Sequence, residues 1–365
     1  MDLISTYANG VSELTKFSRS LDRSPLIVDV IVNPRAGFFK RRATLHRQVL
    51  DLEHKLQDLR ARDPTRRVEI NTVHFTERPG HAHQIADAIL AKEARERRGI
   101  EHLVIGCGGD GTANEICRAF VTADASQLDR IKLLRLPLGT GNDTADARTF
   151  DEAYDLILGD QHTARTGAVA VTVADGTVYW AFNIASVGFD AYIADLTNRF
   201  KRMIPGQAYK ALVNIGTLFY GQVVHPQPMG IRLFDGRRET EVKGMTPSMV
   251  VVGASGHRTY GGHMPVLPGD DNVCIVDAMS ILRKIQQKKL FYLGTHGELP
   301  EVRFHRADRV DIDYPSRIPL QLDGEIVWLE PKDFPLSLRL VNAKIKVLKN
   351  QAADEHRTPP RAHRR

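Results

Sequence analysis

Residues 102–120 read HLVIGCGGDGTANEICRAF, and this stretch decides the fold. His102 to Ile105 is a short apolar run of the kind a strand buried on both faces requires. It leads directly into Gly106-Cys107-Gly108-Gly109-Asp110-Gly111-Thr112-Ala113-Asn114. From Thr112 to Val121 the residues Ile116, Ala119 and Phe120 then share one side of a helix. A strand that enters a helix through glycines lets the backbone approach a phosphate chain closely, and the helix start offers free N–H groups to it. Gly-Asp-Gly alone is also common in structural tight turns. The segment has no Gly-Lys-Ser/Thr ending, so it is not a P-loop. It also lacks the glycine spacing and following acidic residue of a dinucleotide fingerprint.

The same pattern continues on either side. Leu26 to Val32 (LIVDVIV) is another continuous apolar strand, followed by the loop Asn33-Pro34-Arg35-Ala36-Gly37. Leu45, Val49, Leu52, Leu56 and Leu59 are spaced in threes and fours, which predicts a helix over roughly 40–60. Val68 to Phe75 alternates as a strand and His81 to Arg98 reads as a helix. Lys132 to Leu136 is a strand that ends in a second glycine loop, Pro137-Leu138-Gly139-Thr140-Gly141-Asn142-Asp143. Repeated β-loop-α units imply a Rossmann-like parallel sheet with helices, and ligands bind such sheets at the carboxyl ends of the strands. Both glycine loops fall there, and two such loops at one sheet edge favour function over coincidence.

After about residue 160 the pattern becomes β-rich. Val169, Val171 and Val173 alternate, Asp175-Gly176 marks a turn, and Val178 to Ile184 returns as a second strand. Further strand-like runs lie at 248–252, 273–276, 310–312, 319–322 and 337–341, with a helical stretch over about 192–220. The expected architecture is α/β plus all-β: a nucleotide-binding α/β domain over 25–160 and a β-sandwich substrate domain over 161–350, with a cleft between them. The end of the second region could return to the first domain. Residues 1–24 are read as an N-terminal extension and 351–365 as a disordered basic tail.

Composition narrows the class. A hydrophobic fraction of 42% with 26% charged residues is that of a globular protein, and no stretch reads as a transmembrane helix. The start, MDLISTYANGVSELTK, lacks a secretory signal's basic and apolar regions. Cys107, Cys117 and Cys274 are odd in number and widely spaced, which argues against disulfides or a cysteine zinc site. His81, His83, His257 and His263 likewise lack a metal-ligand spacing. A cytoplasmic location is expected. The net charge of +6 suits an anionic membrane surface, and no nucleic-acid-binding motif accompanies it.

GGDGT at 108–112 followed by LPLGTGND at 136–143 resembles the catalytic domain of diacylglycerol kinases, sphingosine kinases and related bacterial lipid kinases. The resemblance runs from Val32-Asn33-Pro34, through Phe182-Asn183 and Gly188-Phe189-Asp190-Ala191, to Asp323-Gly324-Glu325. It implies an ATP- and Mg2+-dependent kinase of a lipid hydroxyl, working at the inner membrane face on diacylglycerol or a related lipid alcohol. It also implies a place in phospholipid metabolism. Asn33, Pro34, Arg35, Ala36 and Gly37 would contact the nucleotide, together with Thr76 and Thr140. Gly108, Gly109, Asp110, Gly111, Thr112, Ala113 and Asn114 would hold its phosphates. Glu325 is implied as the proton acceptor, with Asp110 as a metal-linked partner and the rival for the base. A further magnesium site would use Asp271 with the carbonyls of Pro268 and Val273, although Asn272 stands where the family usually has glycine. GGDGT alone is shared with NAD kinases, so a kinase of a soluble substrate is the alternative, as is a non-catalytic nucleotide- or lipid-binding regulator. The acceptor's identity and the oligomeric state, a homodimer included, are open at this point.

Overall fold

The structure is a computed structural model. It describes residues 2–18, 26–62, 68–96, 100–139, 142–159, 161–203, 215–216, 219–224, 227–254, 259–260 and 264–350. The chain divides into two compact units, residues 1–166 with 343–365 and residues 167–342.

The first unit contains α1 (Leu3–Leu14), β1 (Leu26–Val32), α2 (Arg42–Arg62), β2 (Val68–Phe75), α3 (His81–Glu96), β3 (Glu101–Cys107), α4 (Asp110–Thr122), α5 (Ala125–Leu128), β4 (Ile131–Arg135) and α6 (Phe150–Leu158). Its strands lie in the order β2-β1-β3-β4, all parallel. β1 is buried along its whole length, which is why its sequence does not alternate. One face carries Val28, Val30 and Val32 against α1, α2 and α6. Tyr7, Val11 and Leu14 of α1 are fully buried in that core, so the N-terminal helix belongs to the body of the unit. On the opposite face, Asp29 of β1 bonds both His74 of β2 (2.6 Å) and His102 of β3 (2.7 Å). Burial alone would raise the Asp29 carboxyl, but the hydrogen bonds and charge of His102 and His74 outweigh it and hold it well below the usual carboxylate range.

The second unit is built from β5 (Gln161–Thr172), β6 (Val178–Ala181), β7 (Ile184–Gly188), α7 (Phe189–Met203), α8 (Tyr220–Val224), β8 (Gly230–Asp235), β9 (Arg238–Glu241), β10 (Pro247–Gly253), β11 (Thr259–Tyr260), β12 (Met264–Pro265), β13 (Val273–Asp277), α9 (Ile281–Leu293), β14 (Val302–His305), β15 (Arg309–Asp313), β16 (Ile318–Leu322), β17 (Glu325–Leu329) and β18 (Leu336–Asn350). One sheet runs β14-β13-β10-β7-β16-β17 and the other β6-β5-β18-β15-β8-β9. The strand pairings within 167–342 are antiparallel. Val187, Val250 and Leu320 of the first sheet meet Val169, Ile231 and Leu336 of the second in one core, so the unit is a β-sandwich. β5 and β18 carry the chain across the boundary, and Val347 of β18 pairs in parallel with Leu133 of β4 within the first unit.

Two local readings change. The strand expected over 178–184 is two strands, β6 and β7, interrupted at Phe182-Asn183, because the amide groups there bond a carboxylate described below. The helical stretch expected over 192–220 begins earlier, at Phe189, and is described as helix as far as Met203; residues 204–214 lie outside the described residues. The tail 351–365, Gly261-Gly262, His257 and His263 also lie outside them.

Candidate active site

In the first unit the loop after β3 is shaped by contacts that only glycine permits. A Cβ on Gly108 would lie 2.4 Å from Cβ of Thr112, which folds back over it. Gly109 is the N-cap of α4 and, having no side chain, makes no cap hydrogen bond. The first-turn N–H groups and the helix dipole therefore offer an anion site at Asp110-Gly111-Thr112. Thr112 is buried, and its Oγ1 accepts from Nδ2 of Asn33 at 2.9 Å. The Asn33 backbone N–H donates to Cys107 O (2.9 Å), and its Oδ1 accepts from Arg35 N (3.0 Å). The loop of Asn33 to Gly37 and the glycine loop are thus one assembly. Burial pushes the adjacent Cys107 thiol up, which keeps it from acting as a thiolate.

The second glycine loop packs backbone to backbone on the first. A Cβ on Gly139 would stand 2.9 Å from Gly109 Cα and 2.9 Å from Oδ1 of Asn142. Asn142 adopts φ 58, the left-handed conformation that asparagine tolerates, and its Oδ1 accepts from Gly139 N at 2.7 Å. Asp110 then joins the two loops. Its carboxylate accepts from Asn142 N (3.0 Å), Thr144 N (3.0 Å) and Thr144 Oγ1 (2.9 Å). Beneath them, Arg135 forms a buried two-point ion pair with Asp146, with Nη2 2.7 Å from Oδ1. Gly106, Gly108, Asp110, Arg135, Asn142 and Thr144 line a small pocket. Thr76 is buried after β2, with its N–H on Val32 O at 2.8 Å. Glu115 of α4 accepts from Gly80 N (2.8 Å) and Ala82 N (3.0 Å), tying the start of α3 to α4. Thr140 lies outside the described residues. Thr144, Arg135, Asp146 and Glu115 were not singled out from the sequence. Thr144 directly follows the loop motif, but nothing in its type marked it.

In the second unit, Asp323-Gly324 is the two-residue turn of the β16–β17 hairpin, with φ 52 and φ 94, a pairing that favours Asp-Gly. The Asp323 carboxylate accepts from Phe182 N (2.6 Å), Asn183 N (2.9 Å) and Ile184 N (3.0 Å). Three amides on one carboxylate fix the hairpin against the β6–β7 break, and Asn198 Nδ2 holds Gly324 O at 3.0 Å. Glu325 follows, exposed at the start of β17.

Asp271 precedes β13, with Pro268 exposed and Val273 fully buried. Asn272 is buried between them. Its side chain exchanges two hydrogen bonds with the Ala307 backbone (2.8 and 3.0 Å), and its carbonyl accepts from Gly253 N (2.8 Å). A glycine could not make the side-chain pair, so Asn272 sets the shape of this loop. Among the described residues no group of three or more His, Cys, Asp or Glu side chains could hold a metal. A magnesium ion here would rely on one carboxylate, carbonyls, phosphate oxygens and water. Those are the hard oxygen donors it prefers, so the chemistry of the donor set fits.

The fold is an α/β unit with two packed glycine loops, joined in one chain to an antiparallel β-sandwich. The diacylglycerol kinase catalytic domain matches residues 28–169, and the YegS C-terminal NAD kinase beta sandwich-like domain matches residues 183–349. Similar curated proteins include "Probable lipid kinase YegS" of Shigella flexneri, 27% identical over 248 residues (66% of this chain, 76% of the relative). "Probable lipid kinase YegS-like" of Chromohalobacter salexigens is 29% identical over 245 residues (65% and 73%). A crystal structure of a diacylglycerol kinase from Bacillus anthracis str. Sterne shares the fold, with TM-score 0.55 and 17% identity over 90% of this chain and 98% of that one. The chain belongs to the diacylglycerol kinase catalytic-domain family of lipid kinases.

Proposed function

We propose that this protein transfers the γ-phosphoryl group of ATP to the hydroxyl of a membrane lipid, diacylglycerol or a related lipid alcohol, at the inner face of the membrane. The observation that carries this reading is the joining of the two glycine loops by Asp110 through Asn142 and Thr144, at the glycine-capped N-terminus of α4. The relatives' names as lipid kinases support the acceptor class.

The acceptor oxygen forms a bond to the γ-phosphorus while the bond to the β,γ-bridging oxygen breaks, and ADP leaves with that electron pair. Positioning and charge neutralisation do most of the work in such transfers. The α4 N-terminus and the glycine amides bind and orient the phosphates; Asn33 to Gly37 and Thr76 hold the nucleotide, and Thr140 belongs to the same group. Bound with ATP, magnesium supplies neutralisation of phosphate charge, with Asp110 as its metal-linked partner; a separate magnesium ion would be held by Asp271 with the Pro268 and Val273 carbonyls. Three of the roughly four lone-pair positions of the Asp110 carboxylate are already engaged. That leaves Asp110 a positioning and metal-linked role. Glu325, exposed on a rigid hairpin, takes the proton of the acceptor hydroxyl. Incubation with γ-labelled ATP and, separately, diacylglycerol, monoacylglycerol, a sphingoid base, a polyprenol and NAD tests the reading. Label in one lipid class and none in NADP supports it; label in NADP alone overturns it.

A further inference from the structure

Helix α9 is well delimited. Ser280 caps its start by accepting from Arg283 N (3.3 Å), and Gly294 ends it in the left-handed conformation at φ 73. Its inner face is accounted for. Leu290 and Phe291 pack on the cluster of Ile184, Val251 and Cys274 behind the six-stranded sheet. Arg283 is paired with Glu301 at 2.8 Å, and Lys284 Nζ sits over the rings of Phe189 (4.3 Å) and Tyr220 (5.2 Å). The outer face does not follow the rule for a surface helix, whose outward side is polar. At about 3.6 residues per turn, Ile281, Leu282, Ile285, Lys289 and Leu293 share one face. The four aliphatic side chains on it are 46%, 66%, 57% and 59% exposed. The helix, ILRKIQQKKLFYL, has four basic residues and no acidic one, and Lys288 and Lys289 are exposed within or beside the apolar side chains.

We propose that the outer face of α9 is a membrane-docking surface for an anionic bilayer, with Ile281, Leu282, Ile285 and Leu293 entering the headgroup–acyl boundary and Lys289 pairing with a lipid phosphate. Charge complementarity selects this occupant. Exposed apolar residues with Lys289 among them, on a helix whose sequence has no acidic residue, match an anionic lipid surface, where the lysine stem lies along the tails and the ammonium group reaches the phosphates. The proposal deepens the lipid-kinase reading, which it needs only for its purpose, since the surface itself acts without catalysis.

The test is flotation of the full chain with phosphatidylcholine vesicles containing or lacking phosphatidylserine, without ATP or any acceptor lipid. Wild type is expected to float with the anionic vesicles. Leu282→Ser/Ile285→Ser is expected to bind at least about tenfold more weakly, and Lys289→Gln to lose about fivefold and part of the salt dependence. Ile285→Trp should show a blue-shifted emission on adding anionic vesicles. Equal binding by the serine variant, or no shift in the tryptophan variant, overturns the proposal. So does a wild type that ignores vesicles but self-associates through this face, read as a dimer in sedimentation that the serine variant abolishes. Lipid labelling in detergent micelles separates the two readings: labelling without vesicle binding sinks the docking surface alone, and vesicle binding without labelling sinks the kinase reading alone.

Discussion

Replacing Asp323 tests the hairpin that presents Glu325, because one side chain performs two separable tasks. Its carboxylate holds three backbone amides, those of Phe182, Asn183 and Ile184, at 2.6–3.0 Å, and its backbone occupies φ 52. A hydrogen bond to a charged group contributes about 1.5–3 kcal/mol net. Three that share one carboxylate do not add fully, but Phe182, Asn183 and Ile184 are all at most 3% exposed, so water cannot replace the lost acceptor. Asp323→Ala should therefore destabilise the second unit by about 3–5 kcal/mol. Asp323→Gly loses the same bonds but relieves the left-handed backbone, and should be gentler by about 1 kcal/mol. Asp323→Asn keeps one acceptor oxygen and tolerance of positive φ, and should cost about 1–2 kcal/mol. Urea unfolding of the three variants reads the order Asn, Gly, Ala from mildest to worst. If alanine unfolds within about 0.5 kcal/mol of wild type, or no more easily than glycine, the account of this turn is wrong.

Three further outcomes follow from the same geometry. Gly139→Ala forces Gly109 and Asn142 apart, and a displacement near 1 Å at a reacting centre is expected to lower kcat by about a hundredfold; steady-state kinetics checks it, and an unchanged kcat would mean the loop crossing is not functional. Glu325→Gln should reduce kcat by about 10²–10⁴-fold while ATP binding, measured by calorimetry, stays as in wild type; labelling at the wild-type rate would remove Glu325 as the base. Because the folded Asp29 carboxyl lies below its unfolded value, its contribution to stability is complete above about pH 4 and is lost as pH falls from there through the folded value. The stability gap between wild type and Asp29→Asn, followed by urea unfolding, should be full at neutral pH and close in acid; a gap that grows in acid would reverse the assignment.

The parallel sheet and the position of both glycine loops were readable in the sequence because burial on both faces writes strands as unbroken apolar runs, as in LIVDVIV at 26–32. The loops at the strand ends are marked instead by glycines and polar residues, although Ala36 and Leu138 within them join the core. What could not be read was made by contacts distant along the chain. The break at Phe182-Asn183 depends on a carboxylate about 140 positions later, so local propensity read a single strand. The mutual need of Gly109 and Gly139 for bare backbone, and the hold of Thr144 on Asp110, arise only when two loops meet. Helix α1 was passed over because Tyr7, Val11 and Leu14 lie among Ser, Thr and Asn, and only the sheet face they cover makes them core. Helix α9 was hidden for the opposite reason, its apolar residues being spread over both faces.

The central claim is most directly tested by incubating the purified full chain with γ-labelled ATP, magnesium and a total membrane lipid extract, then separating organic and aqueous phases. The account predicts label in an organic-phase phospholipid, appearing at least about a hundredfold more slowly when Glu325→Gln replaces the wild type. Label confined to the aqueous phase with the wild-type protein would contradict it.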